Sequence, residues 1–238
     1  MSGRTLSELR EEVWRANRAL VSAGLVALSF GNASGIDRSA GVMLIKPSGV
    51  PCDGFRPEDL VAVPLDGGTV EGGALRPSSD TPTHLALYRR YPSIGGVVHT
   101  HSTEATAWAQ AGRSIPPLGT THADHFHGPV PVTRQLTATE IAGEYELETG
   151  RVIIETIDEL GFEALEMPAV LVASHGPFVW GATPTAAADN AIALEIVAAA
   201  ARRTFLLVPS VGSIGDKLLE RHYRRKHGPA AYYGQVRR

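Results

Sequence analysis

The sequence predicts an α/β fold in which helices cover a largely antiparallel sheet, and three observations carry that prediction. Short runs of apolar and β-branched residues are cut off by Gly, Asn, Ser and Pro, as half-buried strands are. Longer stretches place their apolar residues at helical spacing. Two capping boxes, Thr5-Leu6-Ser7-Glu8 and Thr137-Ala138-Thr139-Glu140, mark where two of those helices begin.

The first box opens a helix in which Leu9, Val13, Ala16 and Leu20 share a face, ending by Gly24. Strands are expected at Leu25 to Phe30, Val42 to Lys46 and Leu60 to Pro64, the last followed by the Asp66-Gly67-Gly68 turn. Pro82, at a first-turn position, starts a helix from Thr83 to Tyr91 that feeds a strand ending in His99. Ser102 is placed to cap the alanine-rich helix after it. The second capping box opens a helical stretch toward Gly161, Thr183-Pro184 starts a long helix to about Val208, and Asp216 begins a basic helix to Lys226. With no linker, repeat or low-complexity segment, residues 1–238 are expected to form a single domain.

At 238 residues the chain is long enough to bury roughly 70 to 75% of its unfolded surface. Lys and Arg number 22 against 25 Asp and Glu, so no positive excess exists to hold a nucleic acid or an anionic membrane, and the expected partner is a small molecule. The single cysteine, Cys52, excludes an intramolecular disulfide and fits a reducing cytoplasm. The opening MSGRTLSELREE is too charged for a signal peptide, and Glu195 breaks the most apolar helical stretch, Ala191 to Ala201.

His99-Thr100-His101 closes the apolar run Ile94 to Val98, and His175 closes Ala169 to Ala173. An H-x-H pair on a strand sends both imidazoles to one face, and a third strand-end histidine completes an open-site metal triad. Asp80, on a loop before a helix, is the natural acidic fourth group, or else a helix-start carboxylate. A second group, Thr120-Thr121-His122-Ala123-Asp124-His125-Phe126-His127, is bracketed by Pro116, Pro117 and Gly128 and reads as a loop, a poor frame for a metal cage. Asp124 there is a candidate acid/base. The turns Gly31-Asn32-Ala33-Ser34, Lys46-Pro47-Ser48-Gly49 and Ser78-Ser79 could form an anion-binding concavity, or be ordinary turns. The stretch His222 to Gln235 mixes bases with aromatics and by pattern reads as a solvated basic helix with a disordered tail.

Taken in order, G-N-x-S, K-P-S-G, P-S-S-D-T-P-T-H, V-V-H-T-H-S, W-A-Q-A-G, G-T-T-H-A-D, G-E-Y-E-x-E-T-G, S-H-G-P-F, R-K-H-G and A-Y-Y-G-Q span Glu11 to Gln235. This series resembles the bacterial L-ribulose-5-phosphate 4-epimerases of the class II aldolase and epimerase superfamily. The resemblance implies a three-layer α/β/α fold of class II aldolase type, its central mostly antiparallel sheet lying between helical layers. It implies Zn2+ at Asp80, His99, His101 and His175, and substrate or phosphate contacts from Gly31, Asn32, Ser48, Gly49, Ser78 and Ser79. Acid/base roles fall to Asp124 and Tyr233. The implied substrate is a phosphorylated ketopentose, and the implied assembly a homotetramer with active sites at subunit interfaces. The chain departs from the family pattern at His125 and His127, where tyrosines are usual. Rival readings are an epimerase of L-xylulose 5-phosphate, a superfamily aldolase, and a non-catalytic adducin-like module. In the aldolases a glutamate commonly stands at the place of Asp80, and the module would lack the metal ligands that are present here.

Overall fold

The computed structural model describes residues 5–68, 75–228 and 231–233. Gly234 and Gln235 of the Y-Y-G-Q motif lie outside them. Six strands, β1 (Asn32–Asp37), β2 (Val42–Ile45), β3 (Val61–Pro64), β4 (Gly96–His99), β5 (Ala169–Val172) and β6 (Gly176–Gly181), form one sheet in the order β3-β2-β1-β4-β6-β5. Every neighbouring pair is antiparallel, in keeping with the expected class.

Helix α1 (Leu6–Ser22) starts at the Thr5 capping box and buries Leu9, Val13, Ala16 and Leu20. It packs against α7 (Pro184–Leu207), which in turn packs against α3 (Thr103–Gln110), on one side of the sheet; α2 (Thr81–Arg90) and α6 (Tyr145–Glu159) pair with each other on the opposite side. Alternation along β1 shows the two layers directly. Ser34 sends its hydroxyl to His84 and Tyr88 of α2, at 2.7 and 2.8 Å. Its neighbour Gly35 faces Leu9, Val13 and Pro184.

A row of glycines crosses the sheet where α7 begins. Gly35 pairs with Gly96, and Gly96 with Gly181. A methyl group on Gly96 would lie 2.5 Å from the Cα of Pro184, and one on Gly181 would lie 2.6 Å from the amide nitrogen of Ala187. The first turn of α7 therefore rests on bare backbone.

Three expectations require correction. Leu25 to Phe30 is not a strand: Leu25 closes the end of α1 by bonding Leu20 O, Leu28 takes φ 55, and Leu28 and Phe30 are exposed. The strand is the more polar Asn32–Asp37, whose small residues suit a place between two helical layers. The helical stretch toward Gly161 is two helices, α5 (Ala138–Ala142) and α6, separated at Gly143. The Thr120 to His127 segment contains a short helix, α4 (Thr120–Ala123), and is tied into the core: His122 is buried with Nε2 2.7 Å from Gly128 O. Helix α8 (Asp216–Lys226) forms as expected.

Candidate active site

Strand register brings the principal residues to one edge of the sheet. Asn32 at the start of β1 pairs with His99 at the end of β4, and His99 pairs with Phe178 of β6. His175 lies on the turn between β5 and β6, after Ser174 at φ 62, rather than at a strand end. His101 lies two residues beyond β4.

The three rings nonetheless converge, with centroids 4.7 to 5.1 Å apart. They form a group whose ligand atoms all fall within 4.8 Å of one another. The His99 and His101 Nε2 atoms face each other at 3.0 Å. Pro177 O lies 3.0 Å from His99 Nδ1 and can only accept, so the proton sits on Nδ1 and Nε2 presents a lone pair. Such an outer hydrogen bond fixes the tautomer a metal requires. Tyr145 OH stands 3.4 Å from His175 Nδ1.

Burial pushes the pKa of His99 down to about 3, with Asp80 opposing and His175 and His101 reinforcing. Burial and His101 likewise lower that of His175. Neutral imidazoles are the form that coordinates a cation. For Asp80, burial alone would raise the pKa, but His99, His84, the Asn32 hydrogen bond and His175 hold it below the ordinary carboxylate value. Asp80 is the N-cap residue of α2 yet makes no side-chain capping bond. Its Oδ2 accepts from Asn32 Nδ2 at 2.6 Å. Three imidazoles with an ionised carboxylate beside them suit a divalent cation of the zinc type.

The six small polar residues singled out above, Gly31, Asn32, Ser48, Gly49, Ser78 and Ser79, line the same cleft as Asp80 and the three histidines, a cavity of about 340 Å³. Two of the turns are laced together: Ser48 N–H donates to Arg76 O, and Ser78 N–H to Lys46 O, at 2.9 and 3.0 Å. Asn32 Nδ2 also donates to the Ser78 hydroxyl at 3.1 Å, and the buried Oδ1 of the same side chain has no protein partner among the described residues. Gly31 must be glycine, because at φ 74 an added methyl would approach His99 O to 2.8 Å.

Lys46, Tyr145 and Glu146 line this cleft too; Tyr145 and Glu146 carried no expectation from the sequence, and Lys46 only that of belonging to a possible anion-binding turn. Lys46 is buried, with Nζ held by Pro47 O at 3.2 Å and Ser29 O at 3.4 Å. Desolvation lowers its pKa, while Cys52 and Asp80 act against that shift. Cys52 is buried, its Sγ 3.6 Å from Gly31 O; burial and Asp53 raise its pKa to about 11, with Lys46 opposing. Lys46 stands in the K-P-S-G motif and Tyr145 in G-E-Y-E, but neither motif shows which side chain turns inward.

Asp124 and Tyr233 come together elsewhere, and within a single chain neither lines the cleft. Asp124 caps α4 and takes both Nε (2.8 Å) and Nη2 (2.5 Å) of Arg225, with His222 Nδ1 at 3.1 Å. Burial alone would raise its pKa, but the Arg225 and His222 hydrogen bonds and the charge of Lys226 bring it below the ordinary value. The Arg225 guanidinium lies 4.6 Å from the Tyr233 ring centroid, and Tyr233 N–H donates to Arg225 O at 2.9 Å. Among the described residues of the basic C-terminal stretch, His222, Arg225, Lys226 and His227 reach Asp124 and Tyr223 is buried, while Tyr232 and Tyr233 stay exposed. The loop-cluster histidines point to separate partners: His125 to Asn190 and Lys226, His127 to Glu220.

Comparison with known proteins gives the family and the fold. The profile of the Class II Aldolase and Adducin N-terminal domain matches residues 11–201. The L-ribulose-5-phosphate 4-epimerase UlaF of Salmonella paratyphi C (strain RKS4594) is 54% identical over 230 residues, covering 97% of this chain and 100% of that protein. The protein of the same name from Salmonella typhi gives the same identity and coverage. Among solved structures, an L-fuculose 1-phosphate aldolase superposes with TM-score 0.76 at 23% identity, over 92% of this chain and 95% of that one. An L-fuculose-1-phosphate aldolase from Thermus thermophilus gives 0.63 at 26% identity, over 87% and 98%.

Proposed function

The chain belongs to the class II aldolase and adducin N-terminal domain family, and from that premise we propose that it is a zinc-dependent 4-epimerase interconverting L-ribulose 5-phosphate and D-xylulose 5-phosphate. The observation that carries the reading is the single cleft shared by three converging imidazoles, a carboxylate and the small polar turns. Likeness to proteins named as 4-epimerases supplies the sugar. The whole chain, 1–238, is proposed as one domain of this family, acting in the cytoplasm.

The chemistry accounts for the residues. In a 2-ketose phosphate the C4 hydrogen is not adjacent to the C2 carbonyl, so its removal leaves no stabilised carbanion. The C4 hydroxyl, however, is β to that carbonyl. Taking its proton onto one side chain forms an aldehyde at C4 and breaks C3–C4, leaving the enediolate of dihydroxyacetone beside glycolaldehyde phosphate. After the aldehyde rotates, C3 adds to its other face, and a second side chain returns the proton to the C4 oxygen. Asp124 and Tyr233 are the proposed pair, either serving either epimer. A zinc ion held by His99, His101, His175 and Asp80 supplies Lewis-acid stabilisation of the charge that develops on the ketose oxygens. Ser48, Gly49, Ser78 and Ser79 hold the phosphate while the aldehyde turns, and Gly31 and Asn32 contact the sugar, with Asn32 Oδ1 accepting from a hydroxyl.

Because Asp124 and Tyr233 sit together but apart from the cleft, a complete site is proposed to form between subunits of a homotetramer, one supplying the cleft and its neighbour the acid/base pair. The test is to incubate the zinc-loaded protein with L-ribulose 5-phosphate and follow the products by NMR. D-xylulose 5-phosphate is expected. Accumulation of dihydroxyacetone and glycolaldehyde phosphate without it makes the protein an aldolase, and no turnover overturns the proposal.

A further inference from the structure

Glu195 places a charge in the middle of the alanine-rich helix α7, yet neither the cleft nor the Asp124 cluster uses it. Its carboxylate reaches across to α3 and accepts the backbone N–H groups of Glu104 and Ala105, at 2.8 and 3.0 Å. These belong to the first turn of α3, whose amides have no acceptor within their own helix. Ser102 occupies the N-cap position but makes no side-chain capping bond. The cap of α3 thus comes from another helix, and as a carboxylate it also meets the positive end of the α3 dipole. Arg202, two turns further along α7, binds the Glu104 carboxylate at 2.6 and 2.7 Å. Helix α7 grips the opening of α3 twice, once by backbone and once by side chain.

Only Thr100, His101 and Ser102 separate that opening from the end of β4. His99 is fixed by its strand and by Pro177 O, and His175 by its hairpin turn. His101 is exposed; its ring faces His99 and stacks on exposed Phe30 at 6.1 Å. Its place is set by the backbone that leads into α3.

We propose that Glu195 is the positioning residue for His101: by capping α3 from α7 it keeps the exposed imidazole in register with the other two, and so sets the affinity of the triad for a divalent cation. This rests on reading the triad as a metal site.

The test titrates the metal-stripped full-length chain with Zn2+ against a chromophoric chelator, and with Co2+ by its visible absorption. Glu195→Ala should weaken both ions by about 10- to 100-fold, the range for partners that orient metal ligands. Glu195→Gln keeps one acceptor oxygen for one of the two amides but turns an NH2 toward the other, and should show an intermediate loss. Glu195→Asp keeps the charge but is one methylene too short to reach both amides, and it should show a smaller loss with an altered Co2+ spectrum even if the alanine variant does not fold. His101→Asn is the reference. If it loses metal while Glu195→Asp and any folded Glu195→Ala bind as the parent does, the positioning role is overturned and the metal site stands. If His101→Asn itself binds normally, both fall.

Discussion

His99 and Asp124 are each held in one protonation state by opposite means. His99 is kept neutral by burial, while Asp124 is kept ionised by Arg225 and His222 despite burial. The first state suits a metal donor and the second a proton acceptor. His99→Asn is therefore expected to lose both bound zinc and turnover, measured by elemental analysis beside the epimerase assay. His125→Tyr and His127→Tyr should keep full zinc content, since those rings serve Asn190, Lys226 and Glu220. Tyr233→Phe should retain fold and zinc while kcat falls by about 10² to 10⁴, the usual span for loss of a positioned acid or base; full activity would remove Tyr233 from the mechanism. At this scale the histidines were legible because an H-x-H pair and a His-Gly at the ends of apolar runs are rare combinations. Lys46 was not, because a lysine in a turn gives no sign that its amine is buried against Pro47 O.

Helix starts could be read closely where the cap is local chemistry: Thr5, Thr137 and Thr183 each accept the amide expected of them, whereas Ser102, expected to cap α3, makes no such bond. The identity of β1 could not, because its two-sided burial is decided by α1, α2 and α7 rather than by its own residues. Apolar Leu25 to Phe30 looked the better strand, yet Leu25 is buried at the end of α1, Leu28 and Phe30 are exposed, and Ser29 and Phe30 line the cleft. Helix α4 was hidden for a related reason, since four residues carry no period and its stability comes from contact with α7 and α8. The glycine row invites a direct test at the level of elements. Gly181→Ala must displace the backbone of α7 and should cost about 1 to 3 kcal/mol in urea unfolding, the usual penalty of overpacking. Gly212→Ala, with nothing within 4 Å of the added methyl, is the control and should unfold at or slightly above the parent midpoint. Equal midpoints for the two would mean that α7 does not rest on the sheet as described.

For the molecule as a whole, the proposed function makes catalysis a property of an assembly, because the Asp124 and Tyr233 cluster does not line the cleft within one chain. Two inactive variants, His99→Asn in one chain and Tyr233→Phe in the other, should regain activity when unfolded together and refolded. About a quarter of the shared sites would then combine an intact cleft with an intact neighbour. No recovery in mixed oligomers would place both acid/base groups and the cleft in the same chain. The residue pattern by itself gives no sign of such a division, since T-T-H-A-D and S-H-G-P-F read as parts of one continuous series; only the family resemblance implied sites between subunits. Cys52 offers a separate view of the cleft wall. It is the only sulfhydryl in the chain, sealed against Gly31 O and kept in its unreactive thiol form. A disulfide reagent can reach it only when that wall opens, so native labelling should run at least about a thousandfold slower than labelling in urea. Substrate seated against Gly31 would slow it further, which turns the rate of one covalent reaction into a clock for how often the empty cleft breathes.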